Sequence, residues 1–312
     1  MSGRHIIVAG SLNMDVVSRV GRFPRPGETV RGADAAYSPG GKGANQAVAA
    51  ARSGASTDMI GAVGTDGFGQ QLLDALAASG IVVDGVGVKA GSSGIALITV
   101  DEAGENQIVL CEGANGKVGQ EELERFEQLM SRAGAVLLQN EIPWETNEAL
   151  MRIASEAGIP VLYNPAPAAP VPDEALALID AIVLNETETE TITGIAPSDE
   201  QTLQEAAEHL LAKGVAAVLI TLGAAGSYYR DRSGIVVRQP ARKVTPVDTT
   251  AAGDTFIGAY AAVRYGGAHS SRSPAEALRY ATAASALAVM KPGAQSSIPS
   301  QAEVLASMNG ER

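Results

Sequence analysis

The chain has 312 residues, 46% of them hydrophobic, with 35 Asp plus Glu against 23 Lys plus Arg and a formal net charge of −12. That length and apolar content suffice for one large α/β domain with an appendage or for two modest domains, and the acidic balance, without a long run of either sign, excludes an electrostatic grip on nucleic acid or on an anionic membrane. The single cysteine, Cys111, can form neither an internal disulfide nor a cysteine-rich metal site, which fits a reducing cytoplasm.

In chain order, the first apolar stretch, Ile6 to Ala9, is too short for the hydrophobic region of a signal peptide, and no later segment approaches the roughly 18 apolar residues that a membrane span requires. Asp15 to Val20 and Glu28 to Tyr37 read as extended. Ser38 to Gln46 is a Gly-rich turn that opens a helical run from Ala47 to Arg52, and its Lys42 and Asn45 add donors suited to hydroxyl groups. It is neither a Walker A loop, because GxxxxGK[ST] is absent, nor a Rossmann fingerprint, because GxGxxG does not follow the first strand. Taken alone, a plain helix entry and a ligand loop are equally open readings of it.

Gly94 to Val100 and Asn106 to Leu110 look like two strands joined by a turn at Asp101 to Glu105. The four extended segments fit a small separate sheet, which must close over the main domain or pair with a second copy of itself. From Gly119 onward helical patterns alternate with short apolar runs: Glu121 to Gly134 leads to Ala135 to Asn140, Glu145 to Gly158 leads to Ile159 to Asn164, and Ser198 to Gly214 leads to Ala216 to Gly223. This alternation predicts βαβ units around a parallel sheet, with Gly134, Gly158 and Gly214 as helix stops. Trp144 and the stripe Leu123, Phe126 and Met130 read as core.

Asn185 ends the apolar run Ala181 to Leu184 and Glu188 follows three residues later, the spacing of a capping box. Val247 to Phe256 reads as a tight turn feeding the helical stretch Ile257 to Arg264. The small residues at 251 to 253 bring backbone N–H groups close to a ligand, and with the helix dipole they make a site for negative charge. Asp254 beside them is placed to take a proton from an attacking hydroxyl, or else only stabilises a helix start. Lys291 to Ser297 by itself reads as a helix-ending loop with Pro292 and Gly293 as stop signals. The histidines, His5, His209 and His269, fit neither HExxH nor the surroundings of a GxSxG, so zinc and serine hydrolases lack their parts.

Taken together, the ordered segments Gly10 to Asp15, Pro24 to Val30, Gly40 to Ala55, Gly61 to Gly69, Glu141 to Pro143, Asn164 to Pro167, Asn185 to Glu188, Thr221 to Gly223, Asp248 to Phe256 and Gly293 to Pro299 resemble the ribokinase-like (PfkB) carbohydrate kinases over nearly the whole chain. The resemblance implies an α/β fold with a largely parallel central sheet flanked by helices, one domain over residues 1–312 whose small β-sheet lid is built from about 13–38 and 94–112. It implies ATP-dependent phosphorylation of D-ribose at O5, with Mg2+ and K+, in a cytoplasmic homodimer paired through the lid.

Residue by residue, the resemblance makes Asp254 the catalytic base and Ala251, Ala252 and Gly253 the anion hole. Ala251 stands where the family usually has Gly, although a backbone donor survives that change. Asn13, Asp15, Gly41, Lys42, Asn45 and Glu141 match the sugar-contacting set, and a carboxylate such as Asp15 can accept from two neighbouring hydroxyls. Asn185 and Glu188 match a motif that acts near magnesium and the nucleotide phosphates, and Thr221, Gly223 and Gly226 match the nucleotide-binding turn. Thr282 stands where some members have a His near adenine. A monovalent-cation site is implied at the Asp248 carboxylate, the carbonyls of Thr250, Ala288, Lys291 and Gly293, and the Ser297 hydroxyl. The alternatives are a relative acting on deoxyribose, fructose or a nucleoside, and a non-catalytic sugar- or nucleotide-sensing module, which an absent Asp254 or anion hole would favour.

Overall fold

The computed structural model describes residues 4–266 and 272–310, so His269 lies outside the described residues. The chain opens with β1 (His5–Ala9), β2 (Asn13–Val20), β3 (Gly32–Gly40), α1 (Lys42–Arg52), β4 (Thr57–Gly64), α2 (Gly67–Ala78) and β5 (Val82–Lys89). It continues through β6 (Gly94–Val100), β7 (Asn106–Cys111), α3 (Gln120–Leu129), β8 (Ala133–Gln139), α4 (Trp144–Glu156), β9 (Val161–Asn164), α5 (Asp173–Leu176) and β10 (Ala181–Leu184). The last part holds α6 (Glu186–Thr193), α7 (Glu200–Ala212), β11 (Ala217–Thr221), β12 (Ser227–Asp231), β13 (Val236–Gln239), α8 (Ala252–Tyr265), α9 (Pro274–Ala288) and α10 (Gln301–Asn309).

Nine strands form a sheet in the order β13-β12-β11-β10-β9-β8-β1-β4-β5. All pairs from β11 to β5 are parallel, and β12 and β13 turn antiparallel at one edge. The central runs are apolar at nearly every position because helices cover both faces of a parallel sheet. Alternation along β1 divides the core: Ile6 and Val8 face α1, α8 and α9, whereas Ile7 and Ala9 face α3, α4 and α7. Phe126 is fully buried and Trp144 packs edge-on against Tyr163 at 6.3 Å, as expected of core residues.

The four extended segments form a second sheet in the order β3-β2-β6-β7, with β2 antiparallel to β3 and parallel to β6. β3 begins at Gly32 rather than Glu28, because Glu28 closes a turn: its carboxylate accepts from Arg22 and from the Arg25 N–H. β7 is exposed along its whole length.

Gly158 and Gly214 follow α4 and α7 with φ of 67° and 114°, as helix stops do. Gly134 instead lies inside β8. A 3-10 turn over Met130–Arg132 ends α3, and the missing Cβ of Gly134 admits the Tyr265 carbonyl, which lies 2.6 Å from where it would sit. Among the described residues no helix is long and apolar enough to cross a membrane.

Candidate active site

The parallel sheet changes direction of growth between β1 and β8: the chain's next parallel strand after β1 adds on one side, and β8 opens the other. Such a switch point leaves a crevice beyond the C-terminal strand ends. Ser11, just after β1, donates its hydroxyl to Glu141, just after β8, across that crevice. Glu141 also accepts from the Lys42 backbone N–H at 3.3 Å. Asn13 opens β2 beside them, and its Oδ1 accepts from Asn115 Nδ2 at 2.7 Å. Asp15 lies two residues further on the same face of β2 and is buried.

The Gly-rich segment becomes helix earlier than its sequence suggests, since α1 begins at Lys42. Gly41 precedes it with φ of 90°, and a Cβ there would lie 2.7 Å from Asn13 N and 2.9 Å from Ser11 O. Only glycine permits this packing of the loop against β1 and β2. The first turn therefore presents Lys42 and Asn45 to the crevice.

The second segment behaves in the same way. α8 starts at Ala252, well before Ile257, and Ala251 is its N-cap with φ of 56°, the left-handed region that favours glycine. Asp254 lies in the first turn, but it is not spent on capping. Its Oδ2 accepts from Asn45 Nδ2 at 3.0 Å and its Oδ1 from Gln46 Nε2 at 3.1 Å, both on α1. The helices lie close because Gly258 has no Cβ; one there would come within 2.3 Å of Gln46 O. Of the backbone amides of residues 251 to 253, that of Ala252 donates to Thr249 O at 3.2 Å, so any ligand at this helix start would compete with a turn hydrogen bond for that donor.

Four carboxylates and one ammonium meet here. Burial, and then Glu141 and Asp254, push Asp15 from 3.8 up to about 7. Burial also raises Glu141, against the opposing hydrogen bond from Ser11, and raises Glu188. Burial alone would lower Lys42, yet Asp254, Glu141 and Glu188 outweigh it and hold the ammonium above its ordinary range. A pocket so crowded with acceptors suits a neutral ligand rich in hydroxyl donors.

Lys42, Asn185, Glu188, Thr221, Ala251, Ala252, Gly253 and Asp254 line one cavity of about 240 Å³. Asn185 and Glu188 form the capping box of α6: Glu188 N donates to Asn185 Oδ1 at 2.8 Å and Asn185 N to Glu188 Oε2 at 2.9 Å. The capping reading and a place in the cleft are thus compatible. A second cavity of about 400 Å³ adjoins it across Ala252 and Gly253 and is lined by Thr221, Gly223, Gly226, Phe256 and Thr282. Its walls are mostly apolar, and the buried Thr282 hydroxyl has no hydrogen-bond partner.

Behind the α8 turn, Asp248 Oδ1 accepts from Thr250 N at 2.9 Å and Asp248 Oδ2 from Gly293 N at 2.9 Å. The Ala288 carbonyl accepts from Lys291 N at 3.0 Å, and the Lys291 ammonium turns outward to Glu303 at 2.8 Å. Ser297 is buried in the same loop, its hydroxyl donating to Ala294 O. Asp248 lies below the ordinary carboxylate range: burial would raise it, but the hydrogen bonds from Thr250 and Gly293 outweigh burial.

Residues 4–301 match the family model described as pfkB family carbohydrate kinase. The chain belongs to that family. It is 42% identical to a ribokinase of Schizosaccharomyces pombe over 98% of each chain, and 41% identical to one of Haemophilus influenzae over 96% of this chain and 97% of that one. Among solved structures, Arabidopsis thaliana ribokinase complexed with ribose and ATP superposes with a TM-score of 0.90 at 33% identity, covering 98% of both chains. The Thermotoga maritima ribokinase superposes with a TM-score of 0.87 at 35% identity. The ribokinase-like fold, a large mostly parallel sheet with a small separate one, is therefore common to this pfkB kinase and those relatives.

Sequence reasoning passed over Ser11, Gln46, Asn115, Gln139 and Asn164, whose side chains tie the candidate site residues together. One signal was available for Gln139 and Asn164: each is a polar residue at the C-terminal end of an otherwise apolar strand, and they are register partners.

Proposed function

We propose that the protein transfers the γ-phosphoryl group of ATP to O5 of D-ribose, giving ribose 5-phosphate and ADP. The observation that carries the reading is the arrangement at Asp254: a carboxylate with both oxygens held by α1 amides, in the first turn of a helix whose N-terminal amides face a cleft. Asp254 accepts the proton of the 5-hydroxyl as that oxygen attacks phosphorus. The amides of Ala251, Ala252 and Gly253 and the α8 dipole stabilise the negative charge of the migrating group.

Asn13, Asp15, Gly41, Lys42, Asn45 and Glu141 form the sugar side, where Asp15 accepts from two ring hydroxyls. The larger, apolar cavity takes the adenosine, with Thr221, Gly223 and Gly226 at its turn, and Gly253 lies between it and the phosphates. The carboxylate and amide oxygens of Glu188 and Asn185 suit Mg2+ held through water, which supplies charge neutralisation on the β- and γ-phosphates. The Asp248, Thr250, Ala288, Lys291, Gly293 and Ser297 oxygens suit K+, a hard, weakly charged ion.

The domain reading is one unit over 1–312 in which the small sheet, about 13–38 and 94–112, closes over the sugar and excludes water. Leu97 and its register partner Val109 on one face of that sheet are 46% and 60% exposed, an apolar patch that favours pairing of two subunits. The single exposed Cys111 is consistent with a reducing, cytoplasmic setting.

The test is ADP release, followed by a coupled assay, across pentoses, hexoses and nucleosides. Ribose is expected to give the highest kcat/KM and to exceed 2-deoxyribose, because a missing hydroxyl leaves buried acceptors unpaired. Equal or reversed preference overturns the ribose assignment.

A further inference from the structure

Behind the catalytic carboxylate runs a chain of buried side-chain amides. Gln139 Nε2 donates to Gln46 Oε1 at 2.7 Å. Gln46 Nε2 donates in turn to Asp254 Oδ1 at 3.1 Å and to Asn164 Oδ1 at 3.3 Å. Asn164 Nδ2 donates to Val183 O at 3.0 Å and to Glu188 Oε2 at 3.3 Å. Gln46 and Gln139 are wholly inaccessible and Asn164 is 6% exposed.

The orientation of each amide is dictated by its neighbours. Asn164 must turn its NH2 toward the Val183 carbonyl and the Glu188 carboxylate, because neither can donate. Its Oδ1 then faces Gln46, which must turn its own NH2 toward Asn164 and Asp254. That leaves Gln46 Oε1 as the acceptor for Gln139. Reversing Gln46 would set its oxygen against the Asp254 carboxylate and against Asn164 Oδ1, leaving buried groups unpaired.

We propose that Gln46 is a positioning residue for phosphoryl transfer, which fixes the Asp254 carboxylate and, through Asn164, ties it to Glu188 on the opposite wall of the cleft. The inference rests on the kinase reading above and goes beyond it, since Gln46 touches neither sugar nor nucleotide in that reading. Its two N–H groups set the angle between base and phosphate-side carboxylate through one rigid amide. Asn45 holds the other Asp254 oxygen but makes no such link. The charged groups that share electrostatics with Asp254 are Lys42 on α1, Asp15 on β2, Glu141 after β8 and Glu188 on α6.

The experiment compares Gln46→Met, which keeps length and volume but removes both donors, with Gln46→Glu and the unsubstituted protein. Losing a donor to an ionised carboxylate favours its protonated form. Gln46→Met is therefore expected to lower kcat by roughly 10- to 100-fold, to leave the KM for sugar and ATP within about 3-fold, and to move the acid limb of the kcat profile up by about half to one pH unit. Gln46→Glu should move that limb further, because two carboxylates then share a proton. A role in packing alone would scale the profile without moving the limb, and an unmoved limb in both variants overturns the proposal.

The same shift is read without turnover by 13C-carboxyl NMR titration of Asp254, its resonance assigned by its loss in Asp254→Asn. An Asp254 midpoint that Gln46→Met leaves unchanged also overturns the proposal, whether or not ribose is the acceptor. Failure of ribose in the ADP-release assay overturns only the substrate reading. If Gln46→Met does not fold, Gln46→Leu, a smaller apolar replacement that also removes both donors, is expected to shift the midpoint in the same direction; no shift there sinks the idea.

Discussion

Gly293 donates its backbone N–H to Asp248 Oδ2 at 2.9 Å, so the loop after α9 is tied to the loop that feeds the α8 turn. The ion proposed at these loops would join the same two segments through their oxygens and preorganise the anion-hole amides before the phosphoryl group arrives. Turnover with ATP and ribose is expected to rise when potassium chloride replaces an organic-cation salt at equal ionic strength. Asp248→Ala should abolish that response. A flat titration in the unsubstituted protein, or undiminished activation in the variant, would refute the site.

Asp254→Asn keeps the shape of the side chain and removes the proton acceptor. Turnover is expected to fall by roughly 10²-fold or more, the ordinary scale for a lost general base. Sugar-induced thermal stabilisation should persist, because among the sugar-side residues only Asn45 is bonded to Asp254. Single-turnover rates near those of the unsubstituted protein would remove Asp254 from the role.

Asp15 titrates near 7 in the folded chain against 3.8 ordinarily. Between those values the folded state keeps a proton that the unfolded chain has released, so this group's contribution is most favourable below 3.8 and declines as pH rises through about 7. Asp15→Asn should therefore raise the melting temperature of the sugar-free protein at pH 8, by roughly 5 °C, and change it little at pH 4. The same variant should bind ribose more weakly at both pH values. Scanning calorimetry and titration calorimetry read the two effects separately, and equal melting shifts at the two pH values would contradict the burial argument.

Ala251 is the one non-glycine residue with positive φ among the described residues. The left-handed conformation costs about 1–2 kcal/mol for a residue with a Cβ, whereas glycine loses about 0.5–1 kcal/mol through its freer unfolded chain. Ala251→Gly is expected to shift the melting temperature by no more than about 2 °C and to keep turnover within about 2-fold, while Ala251→Val loses both stability and turnover. Comparable behaviour of the Gly and Val variants would show that this backbone geometry is unimportant.

The parts legible in the sequence are those with local causes. Apolar runs such as Ala181 to Leu184 are buried on both faces and so announce a parallel sheet, and the spacing of Asn185 and Glu188 announces a cap that the structure makes. Helix starts were read too late at both Lys42 and Ala252. In each case Gly- and Ala-rich stretches, poor in periodic apolar signal, become helix because the neighbouring helix packs on them. Gly134 misled for the converse reason: its neighbour in space, Tyr265, is 131 positions away in the chain and supplies the reason for a glycine there. The amide chain from Gln139 through Gln46 to Asn164 joins three separate elements: the polar ends of β8 and β9 hint at two of its members, but nothing local marks Gln46 or the link between them.

The absent side chain of Gly258 has a mechanical consequence. With α1 and α8 in backbone contact there, and Asn45 and Gln46 both bonded to Asp254, the proposed base and the α1 part of the proposed sugar site form a single rigid body. The small sheet joins the rest of the chain at four places, residues 10–12 before β2, Gly41 between β3 and α1, residues 90–93 before β6 and residues 112–114 after β7, and Asn115 fastens the first to the last by its bonds to Leu12 and Asn13. Movement of the small sheet would change how much water shares the cleft and whether Asn13 and Asp15 grip the sugar. The approach line of the hydroxyl toward phosphorus, set within the rigid body, would stay the same from open to closed.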